Sequence, residues 1–119
     1  MTVPIRHRLP FERNGVSHGF GCGELRGTIT ANFVDGRLRE IFIIVDRPGS
    51  TIRGLVDGVA IASSIALQHG VPLEAIARKF IASRFEPAGP TGNRKIPMAS
   101  SVLDYVFRWL MALEQRQLG

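Results

Sequence analysis

Apolar and polar positions follow no clear period over the first two dozen residues, which are rich in glycine and arginine. That stretch, residues 1–23, predicts an irregular N-terminal arm with a short strand. From Leu25 to Phe33 the pattern turns strand-like, and Thr28, Ile29 and Thr30 add β-branched side chains suited to a strand. Asp35-Gly36 is the dipeptide expected at a two-residue type I′ hairpin turn. Leu38 to Val45 ends in the run Ile41-Phe42-Ile43-Ile44-Val45, which reads as a strand buried on both faces.

The period then changes to that of helices. Pro48-Gly49-Ser50 stops the strand, and Ser50 or Thr51 can cap a helix running to Gln68. In it Ile52, Leu55, Val56, Val59, Ser63 and Ala66 form one stripe and Ile61 and Ile65 a second, so it is expected to be mostly buried, lying across the hairpin sheet. Gly70 suits a C-terminal cap and Pro72 the start of a second helix to Ser83, with Leu73, Ile76, Ala77, Phe80 and Ile81 on one face. A connector from Arg84 to Lys95 separates it from a third helix, Met98 to Gln115. There Val102, Tyr105, Val106, Trp109 and Leu113 line one face, while Leu103, Phe107, Leu110 and Met111 spread beyond it. Two apolar faces predict a homo-oligomer through the last helix, the alternative being a central core helix in a monomer. The predicted fold is α+β: a β-hairpin-based antiparallel sheet packed against about three helices, in the order β-β-α-α-α. Residues 24–119 form a single domain behind the arm.

Composition narrows the functional classes. A chain of 119 residues suits one domain, and 45% hydrophobic with 21% charged residues argues for a folded protein. No apolar run approaches the roughly 18–20 residues of a membrane span. The N-terminal residues contain no apolar h-region, so the expectation is a cytoplasmic protein without membrane contact. Cys22 is the only cysteine, which leaves no internal disulfide and no multi-cysteine zinc site. A formal charge of +5, carried mostly by arginine, favours anionic partners and suits bidentate phosphate contacts. No predicted helix carries a continuous basic face, so nucleic acid is not expected as a partner.

The strings GCGELRGTI, DGRLREIFI, GSTIRGLVDGVAIASSIALQHGVPLE and RFEPAGPTGNRKIPMASSVLDYVFRWL are specific in content and order. Over about residues 9–113 they closely resemble the C-terminal TSCPD domain of adenosylcobalamin-dependent (class II) ribonucleotide reductases. The resemblance implies an appendage to a large catalytic barrel that supplies the radical-generating cysteines and the cobalamin site. The barrel has no counterpart here, and the cysteine pairs of the reductase C-terminus have none in Glu114 to Gly119. Reductase activity is therefore not expected from this chain alone, and no cofactor is expected.

Two stretches offer binding chemistry. In RPGSTIRG, Gly49, Ser50 and Thr51 place free N–H groups, hydroxyls and a positive dipole end at a helix start, flanked by Arg47 and Arg53. That set can hold a phosphate; an ordinary N-cap with two solvated arginines explains it equally. In the connector, Arg84 and Phe85 offer a cation and a ring face, Asn93 an amide for a base edge, and Arg94 and Lys95 charges for phosphates. A rigid crossover with Phe85 plugging the core is the other reading.

Catalytic arrangements are weaker. His7, His18 and His69 show no metal-ligand spacing, and a His18–Cys22 nucleophile–base pair lacks a third member. Asp104 and Arg108, four apart, read as a surface ion pair. The expected protein is a non-catalytic, nucleotide- or phosphate-binding homo-oligomer without a metal. One use would be a phage-type sponge that sequesters cyclic nucleotide or cyclic ADP-ribose immune signals. The alternative is an accessory or interaction subunit of a split class II ribonucleotide reductase.

Overall fold

The computed structural model describes residues 4–118. Three strands come first: β1 (Asn14–Cys22), β2 (Leu25–Val34) and β3 (Arg37–Val45), paired antiparallel in the order β1-β2-β3. The β2–β3 turn has positive φ at both Asp35 (52°) and Gly36 (78°), as a type I′ turn requires. Helices α1 (Thr51–Gln68) and α2 (Leu73–Phe80) follow, then strands β4 (Gly89–Asn93) and β5 (Ile96–Ala99), then helix α3 (Val102–Leu118). The α+β class, the antiparallel sheet and the three helices are as expected. The order is longer, β-β-β-α-α-β-β-α, because three strands carry almost no apolar alternation.

The first of these is β1, a nine-residue strand paired with β2 along its whole length instead of one short strand in an irregular arm. Gly15, Gly19 and Gly21 dilute its pattern, and only its neighbour makes it a strand. The Phe20 ring covers Gly27, its cross-strand partner, so closely that a Cβ there would come within 2.8 Å of the ring. The other two are β4, inside the expected connector, and β5, which takes the residues just after it and the expected start of the third helix at Met98; they form a second antiparallel sheet, pairing Gly89 with Ala99 and Asn93 with Ile96. In its turn Asn93 Oδ1 accepts the Lys95 N–H at 3.0 Å, and Thr91 Oγ1 accepts the Asn93 N–H at 3.1 Å. The hairpin is tied to the first sheet where the Gly23 N–H donates to the Pro90 carbonyl at 3.0 Å.

The continuous apolar run in β3 is not buried on both faces. Ile41, Ile43 and Val45 pack inward, while Phe42 and Ile44 remain 47% and 53% exposed. Their partners on β2 are Thr28 and Thr30, and Ile44 borders a groove with the first turns of α1. Helix α1 does not lie across the sheet either; it runs along the free edge of β3. Ser64 Oγ accepts the Ile41 N–H at 2.9 Å and donates to the Ile41 carbonyl at 3.1 Å. Gln68 Nε2 donates to the Arg39 carbonyl at 3.2 Å. Side chains of the helix thus satisfy backbone groups that would otherwise leave an open edge. One side of α1 is buried through Val56, Ala60, Ser63, Ser64 and Leu67, whereas Leu55, Ile61 and Ile65 face outward.

Helix α3 is the centre of the core. Its apolar girth, a reason to expect a second subunit, is satisfied within the chain. Val102, Leu103, Tyr105, Val106, Phe107, Trp109, Leu110 and Leu113 are all buried against the sheet, α2 and β5. Phe107 stacks on Phe80 with centroids 4.9 Å apart. Among the described residues, no helix is long and apolar enough to cross a membrane.

Candidate functional site

Strand geometry places His18 and Phe20, two residues apart, on one face of β1, and helix geometry places Tyr105 and Trp109, four apart, on one face of α3. The two faces meet. The His18 ring stacks on Trp109 at 4.5 Å and 8° between planes, and Phe20 stacks on Tyr105 at 5.1 Å. Asn93, at the end of β4, completes the cluster by donating from Nδ2 to the Tyr105 hydroxyl oxygen at 3.0 Å. With its oxygen engaged in this way, Tyr105 can donate its own proton to His18 Nε2, 2.8 Å away.

That arrangement favours neutral histidine. Burial, and next the Arg116 charge, hold His18 below its ordinary value of 6.5. Because the folded value is the lower one, protons bind more readily to the unfolded chain. The contribution of His18 to stability is complete above about pH 6.5 and is lost as pH falls through the folded value. Urea unfolding midpoints are expected to decline below that pH, and His18→Gln should flatten this part of the profile. A profile identical in both proteins would refute the assignment.

The aromatic cluster forms one end of a two-chambered cleft. The first chamber, about 650 Å³, is lined by His18, Phe20, Asn93 and Tyr105. The second, about 910 Å³, lies between the β1–β2 turn and the segment 86–92, with Glu24, Arg47 and Glu86 on its walls. Arg26, Thr91 and Gly92 line both and join them. The Arg26 guanidinium lies over the turn, donating to the Gly23 carbonyl at 3.1 Å. It can lie there because position 21 is glycine; a Cβ would come within 2.5 Å of it.

The residues singled out from sequence are distributed over several places. Arg47 enters the second chamber opposite the segment 86–92, and Asn93 borders the first. Gly49, Ser50 and Arg53 line a separate groove of about 510 Å³ beside Ile44 and Asp57. Ser50 caps α1 by accepting the Arg53 N–H at 3.2 Å and donating to the Arg47 carbonyl at 2.6 Å. Thr51 is exposed in the first turn of α1, and Arg84 and Arg94 are exposed as well. Phe85 is 37% exposed and therefore does not plug the core; its N–H donates to the Ser100 carbonyl at 3.2 Å. Lys95 lies in another groove, beside Trp109.

Sequence reasoning missed Arg26, Thr91, Tyr105 and Trp109 as site residues, and considered His18 only as a base for Cys22. The available signal was the i, i+2 spacing on β1 with the i, i+4 spacing on α3. It becomes informative only once Asn14–Cys22 is known to be a strand. His18 and Cys22 stand four residues apart on that strand, about 13 Å, too far for proton transfer. Cys22 is buried with its thiol donating to the Pro87 carbonyl at 3.4 Å, and burial, then the Asp104 charge, push its pKa up. Asp104 does pair with Arg108 at 2.8 Å, but it is buried instead of lying at the surface. No cluster of three or more His, Cys, Asp or Glu side chains suited to a metal forms among the described residues.

The model of the TSCPD domain matches residues 6–114. The vitamin B12-dependent ribonucleotide reductase of Rhodopirellula baltica is 46% identical over 108 residues, covering 90% of this chain and 10% of that protein. The enzyme of the same description from Streptomyces avermitilis is 45% identical over 108 residues, or 90% of this chain and 11% of that one. For that of Bradyrhizobium diazoefficiens the figures are 43% over 107 residues, 88% and 8%. The chain thus spans about a tenth of the length of these three relatives. No solved structure gives a significant match.

Proposed function

The chain belongs to the TSCPD domain family, and from that premise we propose that it is a non-catalytic nucleotide-binding module of ribonucleotide-reductase type. One observation carries the reading: Arg26, Thr91 and Gly92 join an aromatic and amide-lined chamber to one walled by Arg26 and Arg47. A base would enter the chamber beside His18, the half-buried ring of the cluster, with the buried rings of Phe20 and Tyr105 behind it. Phosphates meet Arg26 and Arg47, whose planar forks suit bidentate contacts. Glu24 and Glu86 line the phosphate chamber too, and can accept hydrogen bonds from sugar hydroxyls. Chamber volumes of about 650 and 910 Å³ fall in the range of small-molecule sites. Burial of Cys22, with its thiol held protonated, supports the absence of thiol chemistry.

Isothermal titration with nucleoside di- and triphosphates, cyclic dinucleotides and cyclic ADP-ribose isomers tests the proposal, the cyclic compounds addressing the sequestering role. At least one is expected to bind. Arg26→Ala and Arg47→Ala should each weaken it by about 10-fold or more, the worth of a charge-assisted hydrogen bond, while the matching nucleoside binds weakly to all forms. Flat titrations throughout would overturn the reading, and recovery of hydrolysed ligand would overturn its non-catalytic part.

A second reading, an interaction subunit of a reductase, is favoured by the outward-facing apolar set Phe42, Ile44, Leu55, Ile61 and Ile65 on β3 and α1. These exposed side chains also offer an alternative to α3 as the contact of a homo-oligomer. Light scattering of the chain alone, and of its mixture with a reductase catalytic chain, separates these two covers.

A further inference from the structure

A groove of about 600 Å³ lies on the other side of Asn93 from the nucleotide cleft. Its apolar wall includes Ile96, Trp109 and Met111, with Ile81 and Ala112 beside them, and Lys95, Arg108 and Arg116 line it as well. Each cation has a structural reason to be there. The hydrogen bond from the Lys95 N–H to Asn93 Oδ1 fixes the backbone of the β4–β5 turn and so the root of the lysine. Arg108 is anchored by donating to the Met98 carbonyl and to Asp104 Oδ2. Arg116 stands close enough for its charge to lower the proton affinity of His18, which stacks on Trp109.

Among the described residues no carboxylate lines this groove, and neither Lys95 nor Arg116 takes part in an ion pair. Asp104 offsets the charge of Arg108 alone. The nucleotide cleft has a different character, with Glu24 and Glu86 opposing its two arginines. A purely apolar ligand would leave the groove's positive potential unmet, and a bare anion would exchange strong hydration for a partly dry wall. A molecule with both parts meets both needs.

We propose that this groove is a second binding site, separate from the nucleotide cleft, for a small organic anion joining an apolar body to one carboxylate, sulfonate or phosphate group. The apolar body lies on Ile96, Trp109 and Met111, and the anionic group bridges Lys95 and Arg116. Asn93 is the one residue that lines both cavities, and their walls also touch where Trp109 stacks on His18.

Trp109 is the only tryptophan and lines this groove, so its emission follows ligand there, and the Arg26→Ala/Arg47→Ala variant separates that signal from changes passed through His18. Full-length chain titrated with 1-octanesulfonate should show a saturable change in that emission. Methanesulfonate supplies the charge without the body, and 1-octanol the body without the charge. Each should bind at least 10-fold more weakly. The double variant Lys95→Gln/Arg116→Gln should lose at least 10-fold in affinity for octanesulfonate, while Lys95→Arg retains it. Both side chains are exposed, so an unchanged thermal midpoint is expected to accompany the loss. Arg26→Ala/Arg47→Ala should leave octanesulfonate affinity as it was while removing nucleotide binding. Octanol binding as well as octanesulfonate, no change in Trp109 emission, or full affinity in the Lys95/Arg116 variant would each overturn the proposal.

Discussion

Asp104→Ala is expected to destabilise the chain by about 2–4 kcal/mol in urea unfolding, the cost of orphaning buried hydrogen-bond donors and one member of a charge pair. The carboxylate accepts the Ala82 N–H at 2.7 Å and the Ser100 N–H at 3.0 Å, and pairs with Arg108 at 2.8 Å. It therefore pins the end of the α2 segment and the end of β5 to the first turn of α3. Ala82 has φ of 69°, an unfavourable conformation for alanine that this contact helps to hold. Asp104→Asn should fall between wild type and alanine, since the amide keeps one acceptor and turns a donor toward these groups. Burial alone would raise the Asp104 pKa; the hydrogen bonds from Ala82, Ser100 and Arg108 outweigh it and leave the value below the ordinary 3.8. With the folded value the lower one, the contribution is complete above the ordinary value and disappears as pH falls through the folded value. Wild type and variant should converge only in that acid range. A cost under about 1 kcal/mol at neutral pH, the worth of an exposed pair, would show that Asp104 acts only as a surface ion pair.

Phe107→Ala is expected to cost about 3–5 kcal/mol, the usual range for deleting a fully buried aromatic ring. Phe107 has no exposed surface and stacks on Phe80, so the cavity would open between α3 and α2. Domains of this size have total stabilities of about 5–15 kcal/mol, which makes the variant marginal at room temperature. Phe107→Leu should restore more than half of the loss because most of the volume returns. The same denaturant titration measures both. If the alanine variant loses less than about 1.5 kcal/mol, the apolar surplus of α3 serves an interface with another molecule and not this core.

Much of the fold was legible because its elements announce themselves locally. The β2–β3 hairpin follows from alternation and from Asp35-Gly36, whose positive φ values are a local property of that pair. The beginning of α1 follows from Ser50, whose hydroxyl caps it, and the amphipathic period of α2 is contained in eight residues. The unread strands have the opposite character. Gly89-Pro90-Thr91-Gly92-Asn93 has little β propensity, and β1 is interrupted by glycines. Each is a strand because the backbone of the next strand in the chain completes its hydrogen bonds, β2 for β1 and β5 for β4, and no side-chain alternation marks that pairing.

The site divides in the same way. Arg47 and Asn93 could be named because each sits in a stretch whose composition suggests ligand contact, and both reach the cleft. Arg26, Tyr105 and His18 could not be grouped, since they belong to β2, α3 and β1 and converge only through sheet pairing and helix packing. The helix-start constellation failed to join the connector for a related reason. Helix α1 leaves along the β3 edge, so Ser50 and Arg53 turn toward Ile44 while Arg47, three residues earlier, turns toward the segment 86–92.

By itself, then, the sequence determined the class, the family likeness, the hairpin and the three helices, because periods, caps and turn dipeptides act over a few residues. The tertiary structure alone decided which apolar positions are covered, where β1, β4 and β5 pair, and which side chains share a cavity. The shared cavity depends on contacts between segments as distant as His18 and Tyr105, 87 residues apart, and no local pattern encodes them.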